Sequence, residues 1–358
     1  MKKILLILLS IVPLSVFAQT ESAKNPFSVN GYIETYYSYD FGNPAENNRP
    51  GFVYSHNRHN EVNLNLGFIR AMYQTERVRA NLALMTGTYA NANLAAEPNT
   101  LRNIFEANAG VKLSQSDNLW IDAGVFASHI GFESAIGKDC WNLTRSIMAD
   151  NSPYFLSGVK ISYTSDNQQW FLSGLILNGW QRIQRVNGNS APAFGHQVTF
   201  KPNSSITLNS SSFIGSDTPD SIRQMRYFHN FYGQFQVHEK LGIILGFDIG
   251  AQQKAKGSSE YNLWYTPVLI AKYSVSDKMS IAARAEYYND ANQVIISTGT
   301  ANGFQTYGYS LNIDYQLMDN VVWRIEGRGF SSKDEIFNMD KQLSTQNYFL
   351  TTALAVSL

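Results

Sequence analysis

The stretch AARAEYYND, Ala282 to Asp290, sets Arg284 and Glu286 two residues apart, and VVWRIEGRGF repeats the spacing with Arg324, Glu326 and Arg328. A base next to a carboxylate can tune a catalytic acid, form a buried ion pair, or belong to a charged wall. Residues i and i+2 of a strand share a face, so in strands each set would point one way. The remaining groups able to do chemistry are Ser128 beside His129, and His56 with His59. Adjacent strand residues face opposite sides, which prevents Ser128 and His129 from coupling if a strand continues there. The sequence carries no HExxH and no paired Asp-His arrangement. Catalysis is thus the least favoured reading, and no metal or other cofactor is expected.

The elements around these residues alternate with period two. Val29, Gly31, Ile33, Thr35, Tyr37 and Tyr39 oppose Asn30, Tyr32, Glu34, Tyr36, Ser38 and Asp40, one strand with a greasy and a polar face. Val62, Leu64, Leu66 and Phe68 oppose Glu61, Asn63 and Asn65. Phe105, Ala107, Ala109 and Val111 oppose Glu106, Asn108 and Lys112. The same holds around Arg79, Lys160 and Asp314, whereas WFLSGLILN is apolar on both faces and leaves the register between Gln169 and Gly215 unread.

Seven short polar turns, among them Thr75-Glu76-Arg77, Lys201-Pro202-Asn203 and Met318-Asp319-Asn320, alternate with eight longer stretches. The pattern predicts about sixteen strands, within a range of fourteen to eighteen. The expected fold is all-β: a transmembrane antiparallel up-and-down β-barrel with short periplasmic turns, long extracellular loops and a wet lumen. A soluble β-sandwich alternates in the same way, but its strands are shorter than the 10 to 14 residues read here.

The chain ends fit this reading. Lys2 and Lys3, an apolar run from Ile4 to Phe17, and Ala18 before Gln19 have the anatomy of a signal peptide. The expected divisions are 1–18 signal peptide, 19–27 short periplasmic segment and 28–358 barrel. That leaves no room for a plug domain. After the signal no apolar run is long enough for a helical span. Of 28 basic residues, loss of Lys2 and Lys3 leaves 26 against 28 acidic, a balance that gives nucleic acid no footing. The single cysteine, Cys140, excludes an internal disulfide and is expected to be a passive loop residue. The last strand, Tyr348 to Leu358, is expected to address the outer-membrane assembly machinery.

A lipid-facing Arg or Lys near the midplane costs about 2 to 4 kcal/mol, so charges turn inward. The expected pore-lining set is Glu34, Glu61, Arg79, Glu106, Lys112, Asp122, Lys160, Asp248, Arg284, Glu286, Asp314, Arg324, Glu326 and Arg328. The loop from Ile130 to Pro153, third and longest, is the candidate constriction, with Glu133, Lys138, Asp139, Arg145 and Asp150 as filter groups. An external cap is its alternative.

The motifs GVFASHIGFE (Gly124 to Glu133), NLTRS (Asn142 to Ser146), PYFLSGV (Pro153 to Val159), NGWQ (Asn178 to Gln181) and ARAEYYND (Ala283 to Asp290) resemble, in order, the β-barrel porin-2 or OmpL-like family. The resemblance implies an outer-membrane barrel of porin type in a Gram-negative bacterium, and carries no substrate or catalytic residues. The expected function is passive diffusion of small hydrophilic solutes across the outer membrane, from a lipid-embedded barrel that can form a homotrimer. The alternative is a structural or adhesive barrel without transport.

Overall fold

A computed structural model describes residues 25–358. The expected signal peptide, and 19–24 of the segment after it, lie outside the described residues. Ten strands open the sheet: β1 (Phe27–Asp40), β2 (Val62–Gln74), β3 (Val78–Thr86), β4 (Ile104–Lys112), β5 (Asn118–Ala127), β6 (Phe155–Thr164), β7 (Trp170–Leu177), β8 (Ala193–Asn203), β9 (Ile206–Gly215) and β10 (Arg226–His238). β11 (Leu241–Gln253), β12 (Tyr261–Ser274), β13 (Met279–Asp290), β14 (Phe304–Met318), β15 (Val321–Ser332) and β18 (Gln346–Ser357) complete it. Between the last two, β16 (Phe337–Met339) and β17 (Gln342–Ser344) form a separate hairpin in a loop.

Every barrel strand pairs antiparallel with its neighbours, and β18 closes on β1 from Tyr32↔Ser357 to Asp40↔Phe349. Closure leaves no unpaired edge, the condition a sheet must meet in lipid. Seven short turns alternate with eight long loops, as the pattern required; only the turn expected at Lys201 to Asn203 moves on, because β8 runs through Asn203. No helix among the described residues is long and apolar enough to cross a membrane.

The outer face is apolar, with Ile69, Leu82, Leu245, Leu269, Leu311 and Leu354 exposed. Tyr265, Tyr287 and Tyr307 run side by side toward one rim, with ring centroids 6.2 and 4.5 Å apart, and Trp170 stacks on Phe200 toward the other. Such amphipathic rings suit the two membrane interfaces.

Two strands break the alternation read from sequence. In β1–β2 the pairing passes from Glu34↔Leu66 to Thr35↔Leu64, so Asn65 is an extra residue. The bulge puts Leu66, Phe68 and Arg70 inside and Ile69 outside, reversing the expected faces beyond it. A matching shift at Ala83/Leu84 frees Phe105 from the alternation, and its ring stacks on Phe68 at 4.6 Å.

The lumen is also fuller than a wet pore. Toward the long loops, inward Leu175, Leu177, Phe213, Phe228 and Trp264 pack with Phe52, Ile130, Ile147 and Ile296 from the loops into one buried cluster. This explains the segment whose register could not be read: β7 is apolar outward through Leu172 and Ile176 and apolar inward through Leu175 and Leu177.

Candidate functional site

The third long loop, residues 128–154, folds into the barrel and is held on several sides. His129 Nε2 lies 2.8 Å from the Ser212 carbonyl of β9, and the Asn230 side chain of β10 accepts from Gly131 N–H at 3.2 Å. The Trp141 ring lies over Gly242 of β11, where a Cβ would come within 2.6 Å of it. At the opposite wall Lys138 N–H donates to Tyr32 Oη of β1 at 3.3 Å. Gly137 passes so near the Glu34 carboxylate that a Cβ there would push that carboxylate aside. The loop therefore touches β1, β9, β10 and β11 along its length.

The charges of β13–β15 bind this loop by its backbone. Glu286 accepts from Ile147 N–H at 2.6 Å and Glu326 from Thr144 N–H at 2.6 Å. Arg284 donates to the Thr144 carbonyl at 2.7 Å, Arg328 to the Arg145 carbonyl at 2.7 Å, and Arg324 to the Gly137 and Cys140 carbonyls at 2.5 and 2.9 Å. Among themselves Arg284 meets Glu326 at 3.0 Å and Arg328 meets Glu286 at 2.5 Å, while Arg324 takes Asp314 at 2.6 Å. Arg284 Nε is 3.3 Å from Glu286 but not aligned for a hydrogen bond. The three arginines and two glutamates are buried. They face inward as the alternation required, but loop atoms stand between them and water. Charges placed so deep are stable only when paired and hydrogen-bonded, which the loop's N–H and C=O groups accomplish.

The loop's own charges divide. Arg145 is fully buried and donates to the carbonyls of Ser134, Ala135 and Leu143, bracing the loop's fold. Glu133 accepts from Ser146, and burial raises its pKa against the lowering effect of Arg284. Asp150 touches Tyr54 N–H at 3.4 Å and Ser55 Oγ at 3.3 Å in the first long loop, and burial pushes its pKa up to about 7. Only Lys138 and Asp139 are exposed, in a vestibule of about 340 Å³ that also touches Lys272, Asp314 and Asn320 beside the short turns. Three of the five expected filter groups therefore hold the loop instead of facing a channel. Cys140 is buried, and its thiol is pushed up to about 11 by that burial.

On the opposite wall, strands β2–β6 keep charged groups partly in water. Arg79 bonds Asp122 at 2.6 Å, Arg70 reaches Glu106 at 3.5 Å, and Lys160 lies over the Phe126 ring at 4.9 Å. A cavity of about 250 Å³ lies here between the loop and the wall, lined by Met85, Phe105, Glu106, Ser134 and Phe155. Lys112 ends β4 near the short turns, partly exposed. Asp248 and Glu34 are buried inward, the first against Asn230 at 2.5 Å and the second against Tyr32, His56 and Asn65. Glu61 departs from expectation: it precedes β2, in the first loop, and pairs with Arg58 at 2.9 Å.

Sequence reasoning missed Arg70 and Lys272, both inward and partly exposed. The cost of a lipid-facing cation was the available signal; at Arg70 it argues against the alternation that the bulge breaks. Asn142, Leu143 and Thr144 lie in the NLTRS motif, but no side-chain chemistry marked them as contacts, because Leu143 and Thr144 are bound through main-chain N–H groups to Asn312 and Glu326 and Asn142 through its amide to Ser310. Among the described residues the candidate Ser and His groups are not brought together. Ser128 Oγ accepts from Ile130 N–H while His129 turns to Ser212, and His56 is fully buried against Glu34, with burial holding its pKa below the ordinary value.

Known proteins agree with this geometry. No curated protein matches the sequence. The anion-selective porin from Comamonas acidovorans superposes with a TM-score of 0.62 at 8% identity, covering 93% of this chain and 99% of that one. The outer membrane channel DcaP of Acinetobacter baumannii gives 0.60 at 9% identity over 93% and 97%. OmpT of Vibrio cholerae in its trimer form gives 0.56 at 9% identity over 93% and 99%. At such identities these likenesses establish the fold alone. The model of the family described as "Putative beta-barrel porin-2, OmpL-like" matches residues 26–358. A closed barrel of sixteen strands with porin-type neighbours, matched by that model over nearly its full length, belongs to the porin-2, OmpL-like family of outer-membrane barrels.

Proposed function

We propose that the chain is a channel for passive diffusion of small hydrophilic solutes, narrowed by the third loop and using no catalysis and no cofactor. One observation carries this reading: the loop is fastened to β13–β15, while the wall of β2–β6 beside it retains partly exposed charges and a cavity. A fastened loop keeps a gap of fixed size, as sieving demands, and a polar wall disfavours apolar solutes. The test is single-channel conductance of the refolded protein in planar bilayers. Protein with folded, heat-modifiable mobility that never conducts would sink the reading.

A second reading, a structural barrel without transport, draws on the apolar cluster that fills the barrel toward the long loops. Assembly as a homotrimer is part of the proposal. His196, Ser210, Ser212 and His229 stand together on the outer face of β8–β10, with His196 Nδ1 2.6 Å from Ser212 and His229 Nε2 2.9 Å from Ser210. Polar groups amid exposed Phe194, Ile214 and Phe231 suit a subunit contact better than lipid. SDS-resistant oligomers that His229→Phe leaves unchanged would argue against that surface. The outward row from Tyr348 to Leu358 is the segment we assign to the assembly machinery.

A further inference from the structure

We infer that the route left beside the third loop prefers anions, and that Arg70, Arg79, Lys112 and Lys160 set the preference; the inference rests on the channel reading above. It comes from how the inward charges sort by sign. Glu34, Asp122, Asp248, Glu286, Asp290 and Glu326 are all buried. The inward acids that keep some exposure, Glu106 and Asp314, are held by Arg70 and Arg324. Among the bases of the strands, Arg284, Arg324 and Arg328 are sealed beneath the loop, and Arg49 and Arg145 are buried within the loops themselves. The four named cations remain partly in water.

The pairs themselves present their positive ends. In Arg79–Asp122 the arginine side chain is 29% exposed and the carboxylate 5%; in Arg70–Glu106 the values are 23% and 14%. Lys112 and Lys160 have no carboxylate within ion-pair distance among the described residues, and Lys160 rests on an aromatic face. All four sit on β2, β3, β4 and β6; the loop packs against this wall through Ala135 and Ile136 at Phe68, Met85 and Phe105, where the 250 Å³ cavity lies, and the four cations line the wall outside that contact. The vestibule toward the short turns is mixed, with Lys138, Lys272 and Lys278 among Asp139, Asp277, Asp314 and Asp319, so it does not impose a sign. A narrow passage between low-dielectric walls focuses the field of the charges that line it. A passing ion therefore meets guanidinium and ammonium groups, while the acids that would balance them are held by arginines, histidine or loop N–H groups, or, at Asp248, buried against the Asn230 amide.

The experiment uses the full-length protein in planar bilayers under a KCl gradient, with folding checked by heat-modifiable mobility. The reversal potential should have the sign of chloride permeation and should shrink as salt rises and screens the fixed charges. Lys112→Glu with Lys160→Glu, neither of which breaks an ion pair, should lower the chloride-to-potassium permeability ratio by about threefold or more. Lys254→Glu, in an exposed loop, should leave the ratio unchanged. Conductance without anion preference, or a ratio indifferent to the double substitution, overturns the inference and leaves the channel reading standing. Folded protein with no conductance overturns both.

Discussion

The Glu286 carboxylate accepts a hydrogen bond from the Ile147 N–H at 2.6 Å, joining β13 to the third loop across 139 residues of chain. The same carboxylate takes Arg328 at 2.5 Å. One wall residue thus closes the buried network and fastens the loop.

Glu286→Gln should loosen the loop. It leaves the Arg328 charge buried without its partner, and breaking a buried pair from one side costs about 3 to 5 kcal/mol. The expected result is a lower temperature for loss of folded mobility and faster protease cleavage between 128 and 154. The exposed pair Arg58–Glu61 gives the contrast: Glu61→Gln should cost at most about 1 kcal/mol and leave cleavage unchanged.

Arg284→Glu together with Arg324→Glu separates the two roles of a lumen charge. Both arginines are buried beneath the loop and bind its carbonyls, so the pair of substitutions should destabilise the barrel and raise current noise without giving a stable cation-selective channel. A well-folded, quiet channel with inverted selectivity would place them on the permeation path.

The alternation in sequence was enough to read the strand count, the turn and loop order and the inward face of Arg284, Glu286 and Arg328, because lipid penalises the wrong face at each residue. Arg70 was hidden because one extra residue, Asn65, inverts a face without altering composition. The use of the charges was hidden for another reason. Whether Glu326 meets a solute or Thr144 N–H depends on where a distant loop lies, and its partners are main-chain groups that every sequence supplies.

Loop docking should weaken as pH rises. Burial raises the Asp150 carboxyl from its ordinary 3.8 to about 7; Arg328 and Arg145 lower it in part, and Glu133 adds to the rise. A raised folded-state value means that the folded protein holds the proton more tightly. The stabilisation is complete below about pH 4 and is lost as pH passes through about 7. Protease cleavage of the 128–154 segment should increase over that window. Asp150→Asn, which mimics the neutral form, should flatten the dependence.

Cys140 should resist alkylation in the folded barrel. The thiol is buried, its pKa is pushed up to about 11, and its sulfur contacts Ser134 N–H at 3.1 Å and the Ser134 carbonyl at 3.3 Å. The thiolate is the reactive form, so a maleimide at neutral pH should label only unfolded protein. Labelling that follows Glu286→Gln but not the parent would show that the loop is what shields it.

Phe52→Ala decides between the channel and the structural barrel. Phe52 leaves the first long loop to meet Phe304 at 4.7 Å, Phe330 at 5.2 Å and Phe337 at 6.2 Å, a buried contact joining the loops to the ends of β14 and β15. Truncation should cost about 3 to 5 kcal/mol and lower the temperature at which folded mobility is lost. If solutes pass beside β2–β6, this cluster lies off their route, and the mean conductance should change little while the barrel melts earlier. If the cluster is instead a seal on a barrel that does not transport, the parent should be silent and the variant should begin to conduct. The same substitution thus moves stability under both readings but current under only one, which makes the current the measurement that separates them.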